Sequence, residues 1–496
     1  MVDYRDGSDS GQNATLEDLV HDWKDVTVKD VYSQDIKKKS DSAFLCFSAL
    51  TANVLLFVCS NFHVWSSPVI PKLKSNSSEI NPIGRPITTM ETSMLAGLPF
   101  LIGLVGSIFI GAISDLIGRK RVMVYSAVFI LLASSVIVFS NNIYAYIIAR
   151  CGIFIAYSAT LVLLPIYLTE ICEDHNRAKY GCLMGISLPG GHLFSYAIGS
   201  ITTIPIYTSI CVAPILPFLV AFGIFAPETP AFLIAKGQTE QAMKTLEKLR
   251  YNNTPQEIER EYEKIKESYN IRKSAGKFTL IKLLTSKVTR KALVLALLPL
   301  LVQNFSGVTV IMQFMAPIFN EAGTVLSGNT ISVIAGAIKV ITFFTIAMFV
   351  EKVGRRRPLL ISGYGTGVTI FFLGLFFYWR YTKWAHVNQV LWLPLLCLVL
   401  NLLLYSGGLG PIPMAIMSQL FTTNVRSIAI SVIVTINGIL IFLLNFLFPI
   451  ISNKFGVHVC LWLFTFCCMV GTTLIHFFLP ETKGRSILQI QELLGK

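Results

Sequence analysis

Apolar runs of bilayer-crossing length recur twelve times along the chain, at roughly 43–62, 90–112, 122–140, 143–168, 179–203, 206–226, 290–319, 329–350, 358–379, 389–417, 425–450 and 455–479. Each can cover the roughly 20 apolar residues that a hydrocarbon core about 30 Å thick requires. Polar or charged segments separate them, and the pattern predicts an all-α membrane protein with twelve transmembrane helices. One run stands apart. Leu297 to Gly323 sets Gln303, Asn304, Ser306, Thr309 and Gln313 among apolar residues and interrupts itself with Gly307 and Pro317. A lipid-facing helix has no partner for such groups, so this one is expected to line a wet cavity between helices. Interhelical hydrogen bonding alone would employ the same side chains.

Composition agrees with lipid as the solvent. Of 496 residues, 53% are hydrophobic and 14% charged, against about 25% charged in a soluble chain. The net charge of +13 could suggest nucleic acid, but its distribution argues otherwise. Basic clusters fall in alternate loops: Arg119-Lys120-Arg121, Arg177 with Lys179, the segment 233–290, Arg355-Arg356-Arg357, Arg426, and Lys483 with Arg485. By the positive-inside rule both termini are cytosolic. Lys72, Arg380 and Lys383 are minor exceptions on the other side. Residues 1–42 are polar, carry both charge signs and read as a tail, with no cleaved signal expected. In this topology the outer loop 63–89 carries the sequon Asn76-Ser77-Ser78, the one glycosylation site in reach of glycan addition. The ten cysteines lack metal-ligand spacing, fall mostly inside predicted spans, and read as small apolar packers.

The chain also repeats itself. Asp115-Leu-Ile-Gly118-Arg119 returns as Glu351-Lys-Val-Gly354-Arg355 after 236 residues, and Glu170 with Arg177 returns as Gln419 with Arg426 after 249. Pro227-Glu228-Thr229 returns as Pro480-Glu481-Thr482 after 253. Three motifs in one order at nearly one period mark a duplicated six-plus-six bundle. The expected units are a cytosolic tail (1–42), a first half (43–232), a charged, helix-prone cytosolic linker (233–289), a second half (290–479) and a cytosolic tail (480–496).

These motifs and their positions resemble the sugar porter family of the major facilitator superfamily, which includes the glucose transporters and the arthropod facilitated trehalose transporters. The resemblance rests on the two D/E-x-x-G-R loops, Pro227-Glu228-Thr229-Pro230, Gln303 with Ser306-Gly307, Gly410-Pro411-Ile412-Pro413, and the run from Pro480 to Ser486. The stretch from Trp65 to Leu73 resembles the trehalose-transporter branch. What the resemblance implies is a cytosolic switch made by Asp115, Arg119, Glu170, Arg177, Glu228, Glu351, Arg355, Gln419, Arg426 and Glu481. These would pair between halves when that side is closed and release when it opens. Such charges could also serve topology alone. Gln419 stands where the family usually has Glu, and Ala231 where it has Arg, so the latch is expected to be weakened.

The resemblance also implies a substrate site midway through the bilayer, with Gln303, Asn304, Thr309, Lys339, Ser406, Met414 and Asn437 as substrate-contacting positions. Amides suit sugars because each offers a donor and an acceptor without charge. Gln303 and Asn437 match the family, whereas Asn304 replaces Gln, Thr309 replaces Asn, and Leu188 replaces Gln. Met414 stands in place of a Trp and Ser406 in place of a carboxylate. Lys339 departs most. It lies fifteen residues before Gly354, about 22 Å along a helix, at a position where the glucose transporters carry an amide. Unpaired at that depth it would cost at least ~2.5 kcal/mol, so it is expected to meet water, substrate or a partner. Satisfaction by helix carbonyls is the alternative. His63 and His192, in or near spans, read as packing residues.

Proton-linked members of the family carry an Asp in the first span. Ala43 to Leu73 has no carboxylate, and Asn61 occupies that place. The expected function is therefore facilitative sugar transport without cofactor or metal, with the lipid bilayer and a small molecule as partners and the plasma membrane as the location. The alternatives are a carrier of an anionic or other non-sugar solute that uses Lys339, and a sugar sensor that has lost transport. No carboxylate pair, nucleophile triad or metal cluster points to an enzyme.

Overall fold

A computed structural model describes residues 41–173, 175–274, 287–421, 423–479 and 481. Within them the chain is helical, and twelve helical passages run antiparallel in sequence order. The first is Ala43–His63 continued by Ser66–Leu73, and the second to fifth are Thr89–Ile117, Arg119–Phe139, Ile143–Ile171 and Arg177–Ile201. The sixth joins Ile204–Val212 to Ile215–Val220 around Pro214. The seventh is built from Lys287–Phe305, Val308–Gln313 and Met315–Ala322. Gly328–Val353 and Arg356–Tyr381 follow as eighth and ninth, then Leu393–Gly407 with Ile412–Gln419 as tenth, and Thr423–Phe455 and Val457–Phe478 as the last two. All twelve apolar runs are therefore helices, the fold class that the sequence predicts.

Among the described residues ten helices are long and apolar enough to cross a membrane. The fifth span falls short because it is polar, and the eighth because its described apolar stretch, Gly328–Phe343, is shorter. The fifth carries Ser187, Gly190, Gly191, His192 and Ser195, and the eighth carries Ser332, Lys339 and Thr342. Those two helices pack on each other, with Gly336 set against Leu193. Polar side chains shielded by a mutual interface are the arrangement lipid permits.

The seventh run is interrupted at Gly307, as its sequence suggests, and at Phe314, with Pro317 inside the helix that follows. Gly307 takes φ +71°, a left-handed value that suits glycine, and the helix restarts at Val308. The first span holds a surprise. Its expected outer loop from residue 63 is helical as far as Leu73, with Ser66, Ser67, Pro68, Val69, Ile70 and Leu73 buried. Two serines and two prolines in SSPVIPKL read as loop chemistry, yet the segment is held by tertiary bonds described below. The helix-prone linker carries the helices Thr239–Leu249 and Pro255–Ser274, the second opening on Pro255. They form a small core of their own from Phe232, Leu233, Ala242, Leu246, Ile258 and Tyr262. Buried Arg250 fastens it to the first half, pairing with Glu261 at 2.7 Å and donating to the Ile171 carbonyl at 2.8 Å.

Glycines show how the first six spans meet the last six. Toward the face opposite the linker, a Cβ on Gly97 would lie 2.7 Å from Phe446. A Cβ on Gly336 would lie 2.9 Å from Leu193, and one on Gly438, 2.9 Å from Leu104. Close backbone approach seals that side. Toward the linker face, Cβ atoms on Gly111, Gly181 and Gly185 would meet nothing within 4 Å. Among the described residues the halves are thus closely packed on the face opposite the linker, and these glycines stand bare on the linker face.

Candidate functional site

At the linker face the repeated motifs build one device twice. Gly118 (φ +109°) and Gly354 (φ +85°) turn the chain tightly, so the third and ninth spans start with exposed backbone N–H groups. A helix start has unpaired donors and a positive dipole end, and a carboxylate there satisfies both. In the first half the backbone N–H groups of Arg119 and Lys120 donate to Glu228 Oε1 at 2.9 and 3.0 Å. In the second, those of Arg355 and Arg356 donate to Glu481 at 3.4 and 3.2 Å. The proline-glutamate-threonine motif thus supplies the cap for a helix over 100 residues away in sequence.

Arg119 gathers the rest of the first-half cluster. It pairs with Asp115 at 2.8 Å and Glu170 at 3.2 Å, donates to the Ser114 carbonyl at 3.2 Å, and lies over the Phe232 ring. Arg177 opens the fifth span. The bonds seen at this face run within each half. The side chains of Glu351, Gln419 and Arg426 lie outside the described residues. Nearby, Asp41 accepts from Lys179 at 2.5 Å, Asn176 at 2.9 Å and Tyr180 at 3.1 Å. These bonds, that from Lys179 foremost, hold its carboxyl below the usual carboxylate range.

On the opposite face, loop residue Asn76 is exposed, and Lys72 donates to the Gly199 carbonyl at 2.7 Å and to that of Thr202, capping the end of the fifth span. Glu91 forms a capping box with Thr88 and pairs with Arg85 at 2.5 Å.

Inside the bundle the structure divides the expected substrate contacts into two sets. Gln303 donates to the Gly410 carbonyl at 3.0 Å, linking the seventh-span break to the Gly-Pro-Ile-Pro break of the tenth. Asn304 donates to Asn437 Oδ1 at 2.5 Å and to its own helix at Leu300. Gln303 thus ties the seventh span to the tenth, and Asn304 ties it to the eleventh. Thr309 is half-buried, Met414 half-exposed, and Ser406 buried with its hydroxyl unbonded.

Lys339 belongs to the second set. It is 5% exposed, and its ammonium lies 3.2 Å from His192 Nδ1 and 3.1 Å from Met312 Sδ. The rings of His192 and His63 stack at 5.2 Å. His63 is packed by Phe100, Phe154 and Tyr157, and buried Arg150 lies over Phe154 and Trp65 at 5.5 and 5.1 Å. Read as packing residues, the two histidines prove to be the polar neighbours of Lys339. Arg150 was legible in the sequence as a guanidinium seven residues into the fourth span, a position that lipid tolerates only with an interior environment.

Gln313, noted for polarity but absent from the expected contacts, closes the bundle. Fully buried, its amide donates to the His63 carbonyl and accepts from the Ser66 hydroxyl. Beside it the Ala316 N–H donates to Ser67 Oγ at 3.1 Å, and the Tyr196 hydroxyl to the Met312 carbonyl at 2.8 Å. Each bond joins the first six spans to the last six, those of Gln313 and Ala316 at the break of the first span and that of Tyr196 from the fifth. Asn61, neutral where a proton-linked relative would carry a carboxylate, donates to the Cys211 carbonyl at 3.1 Å.

The family model described as "Sugar (and other) transporter" matches residues 6–494. A facilitated trehalose transporter Tret1-2 homolog of Drosophila sechellia is 27% identical over 480 residues, covering 94% of each chain. Facilitated trehalose transporter Tret1 of Polypedilum vanderplanki is 28% identical, covering 83% of this chain and 81% of its own. The chain spans about half of some relatives, covering 52% of Tret1 of Drosophila yakuba at 28% identity. Among solved structures, the inward open conformation of the Escherichia coli xylose transporter XylE superposes with a TM-score of 0.72 at 19% identity, over 90% of this chain and 99% of its own.

Proposed function

The chain belongs to the sugar transporter family of the major facilitator superfamily, and from that premise we propose that it is a facilitative carrier moving a sugar across the plasma membrane by alternating access. The observation that carries this reading is the asymmetry of the bundle, its halves closely packed on one face and its glycines bare on the other, with the Gln303, Asn304 and Asn437 amides in the second half. The basic loops orient the linker face to the cytosol, with both ends of the chain there and Asn76 outside as the glycan acceptor. The units 43–232 and 290–479 are the moving halves, joined by the linker 233–289.

Transport then requires the seal to break and the linker face to close. On the sealed side the bonds of Gln313, Ser67 and Tyr196 release, and Gly97 and Gly336 part from Phe446 and Leu193. On the other side the bare Gly181 and Gly185 surface of the fifth span is free to receive the second half. The charged clusters are the surfaces that meet there, and with Gln419 neutral fewer pairs hold that side shut, which favours the state observed. Asn61 cannot titrate, so no proton need accompany the cargo. The names of the arthropod relatives support trehalose or a similar sugar as that cargo.

Purified chain in proteoliposomes tests this with labelled trehalose and glucose. Saturable flux that stops when the gradient is gone, and that an imposed proton gradient does not drive, is expected. Flux concentrated by a proton gradient would refute the uniport reading, and sugar binding without flux would make the protein a sensor. The surroundings of Lys339 favour a second reading, an anionic cargo.

A further inference from the structure

We propose that the buried cluster of Lys339, His192 and His63 binds a carboxylate, and that the cargo is a hydroxylated monocarboxylate, a sugar acid rather than a neutral sugar. The inference rests on the carrier reading above.

Its first support is an imbalance of donors. Lys339 has three N–H donors and Arg150 five. Around Lys339 the described acceptors are His192 Nδ1 and the weakly accepting Met312 sulfur. With Nδ1 accepting from Lys339, His192 is protonated on Nε2, a tautomer assigned from this geometry. That atom is buried without a hydrogen-bond partner, as is His63 Nδ1. All three guanidinium nitrogens of Arg150 lack an acceptor at 1% exposure, and the aromatic rings beside it supply no lone pairs. Donors are in surplus.

The second support is the absence of countercharge. On the described membrane helices each carboxylate, including Glu91, Asp115, Glu170 and Glu321, stands within three residues of a helix end. None of them bonds to this group. Buried charge is ordinarily paired or given up. Lysine can shed its proton, but arginine keeps its charge, so the interior stays electropositive whichever form Lys339 takes. An arriving anion would relieve what the protein leaves unpaired, and charge-assisted bonds in a dry site are the strong ones.

Access and the rest of the ligand follow from position. His63 is partly exposed although helices surround it, so its exposure is to the interior rather than to lipid. Lys339 and His192 lie on the eighth and fifth spans, on either side of the interface between halves, while Gln303, Asn304 and Asn437 lie on the seventh and eleventh spans of the second half. A ligand offering hydroxyls to the amides and one carboxylate to Lys339 would use both sets. One ammonium assisted by neutral imidazoles matches a monoanion.

Binding is read on the full chain by tryptophan fluorescence, since Trp65 stacks beside Arg150, with sodium glucuronate and glucose titrated at constant chloride and ionic strength. Glucuronate is expected to bind about tenfold or more tighter than glucose. Lys339→Gln is expected to erase that preference. His192→Gln, which removes the ring without touching the lysine, should reduce it and stands in if the first variant does not fold. Equal affinity of the two ligands, a preference surviving both substitutions, or occupancy by chloride that glucuronate cannot displace would overturn the proposal. Flux measured on the same preparations separates the two readings. Glucose flux without glucuronate preference leaves the carrier and refutes the carboxylate site. Glucuronate binding sensitive to Lys339 without flux of either compound leaves the carboxylate site and refutes the carrier.

Discussion

Replacing Gln313 by leucine should open the sealed face. The side chain is fully buried and spans the two halves, its amide bonded to the His63 carbonyl and the Ser66 hydroxyl. Leucine has similar volume but can make neither bond. In the sealed state the His63 carbonyl would then lack this partner, while the Ser66 hydroxyl keeps the main-chain carbonyl of residue 313 at 3.2 Å; in the opened state water satisfies the carbonyl. A hydrogen bond of this kind contributes about 0.5–1.5 kcal/mol net, so losing it shifts the balance by that amount. That is a population change of about 2- to 10-fold. A cysteine introduced at Leu193, which abuts Gly336 across the seal, reports the change through its alkylation rate with an impermeant thiol reagent applied from the face opposite the linker. The rate should rise by that factor in Gln313→Leu over the Leu193→Cys parent. An unchanged rate in a variant with the parent's thermal midpoint would sink the assignment of Gln313 as the clamp.

Other perturbations probe the linker face. In Gly118→Ala the added carbon would lie 2.2 Å from Glu228 Oε2 at a φ of +109°, so both the turn and the cap suffer. A loss of about 1–3 kcal/mol in stability is expected, read as a lowered thermal midpoint. Gln419→Glu restores a charge to the switch and should raise labelling of the same Leu193→Cys reporter from the sealed face; equal labelling would argue against a weakened latch. Asp41→Asn should lower the thermal midpoint at neutral pH. Because the folded carboxyl titrates below its unfolded value, this stabilisation is complete above the ordinary carboxylate range and fades as pH falls through the lowered value. The wild-type and variant curves should therefore converge in strong acid, and a gap that widens there would reverse the sign of the argument. Asn76→Gln should migrate like the glycosidase-treated parent when expressed in a glycosylating host.

How much of this was legible differs by residue, for physical reasons. The helices were readable because lipid imposes a continuous apolar requirement that soluble packing does not, and the breaks at Gly307 and Gly410 to Pro413 were readable because glycine and proline act on their own backbone. The helix Ser66–Leu73 was not readable, since partners 250 residues away decide it. Neither Gln313, which bonds to its base, nor Ser66 announces the other in sequence. The caps by Glu228 and Glu481 were visible as a repeat, whereas their target, the start of a distant helix, exists only after folding. Lys339 shows the same division most clearly. Its depth in the membrane follows from counting back from Gly354, and so does the expectation that something must attend it. What attends it is a histidine contributed by the other half, a second histidine stacked behind that, and an arginine held by aromatic rings. Pairing a cation with neutral or cationic neighbours is a poor solution for stability alone, because methionine in place of Lys339 would pack the same space without a buried charge. A cost carried at the interface between two moving halves is explained if a ligand relieves it in the bound state, which ties the energetics of Lys339 to occupancy rather than to folding.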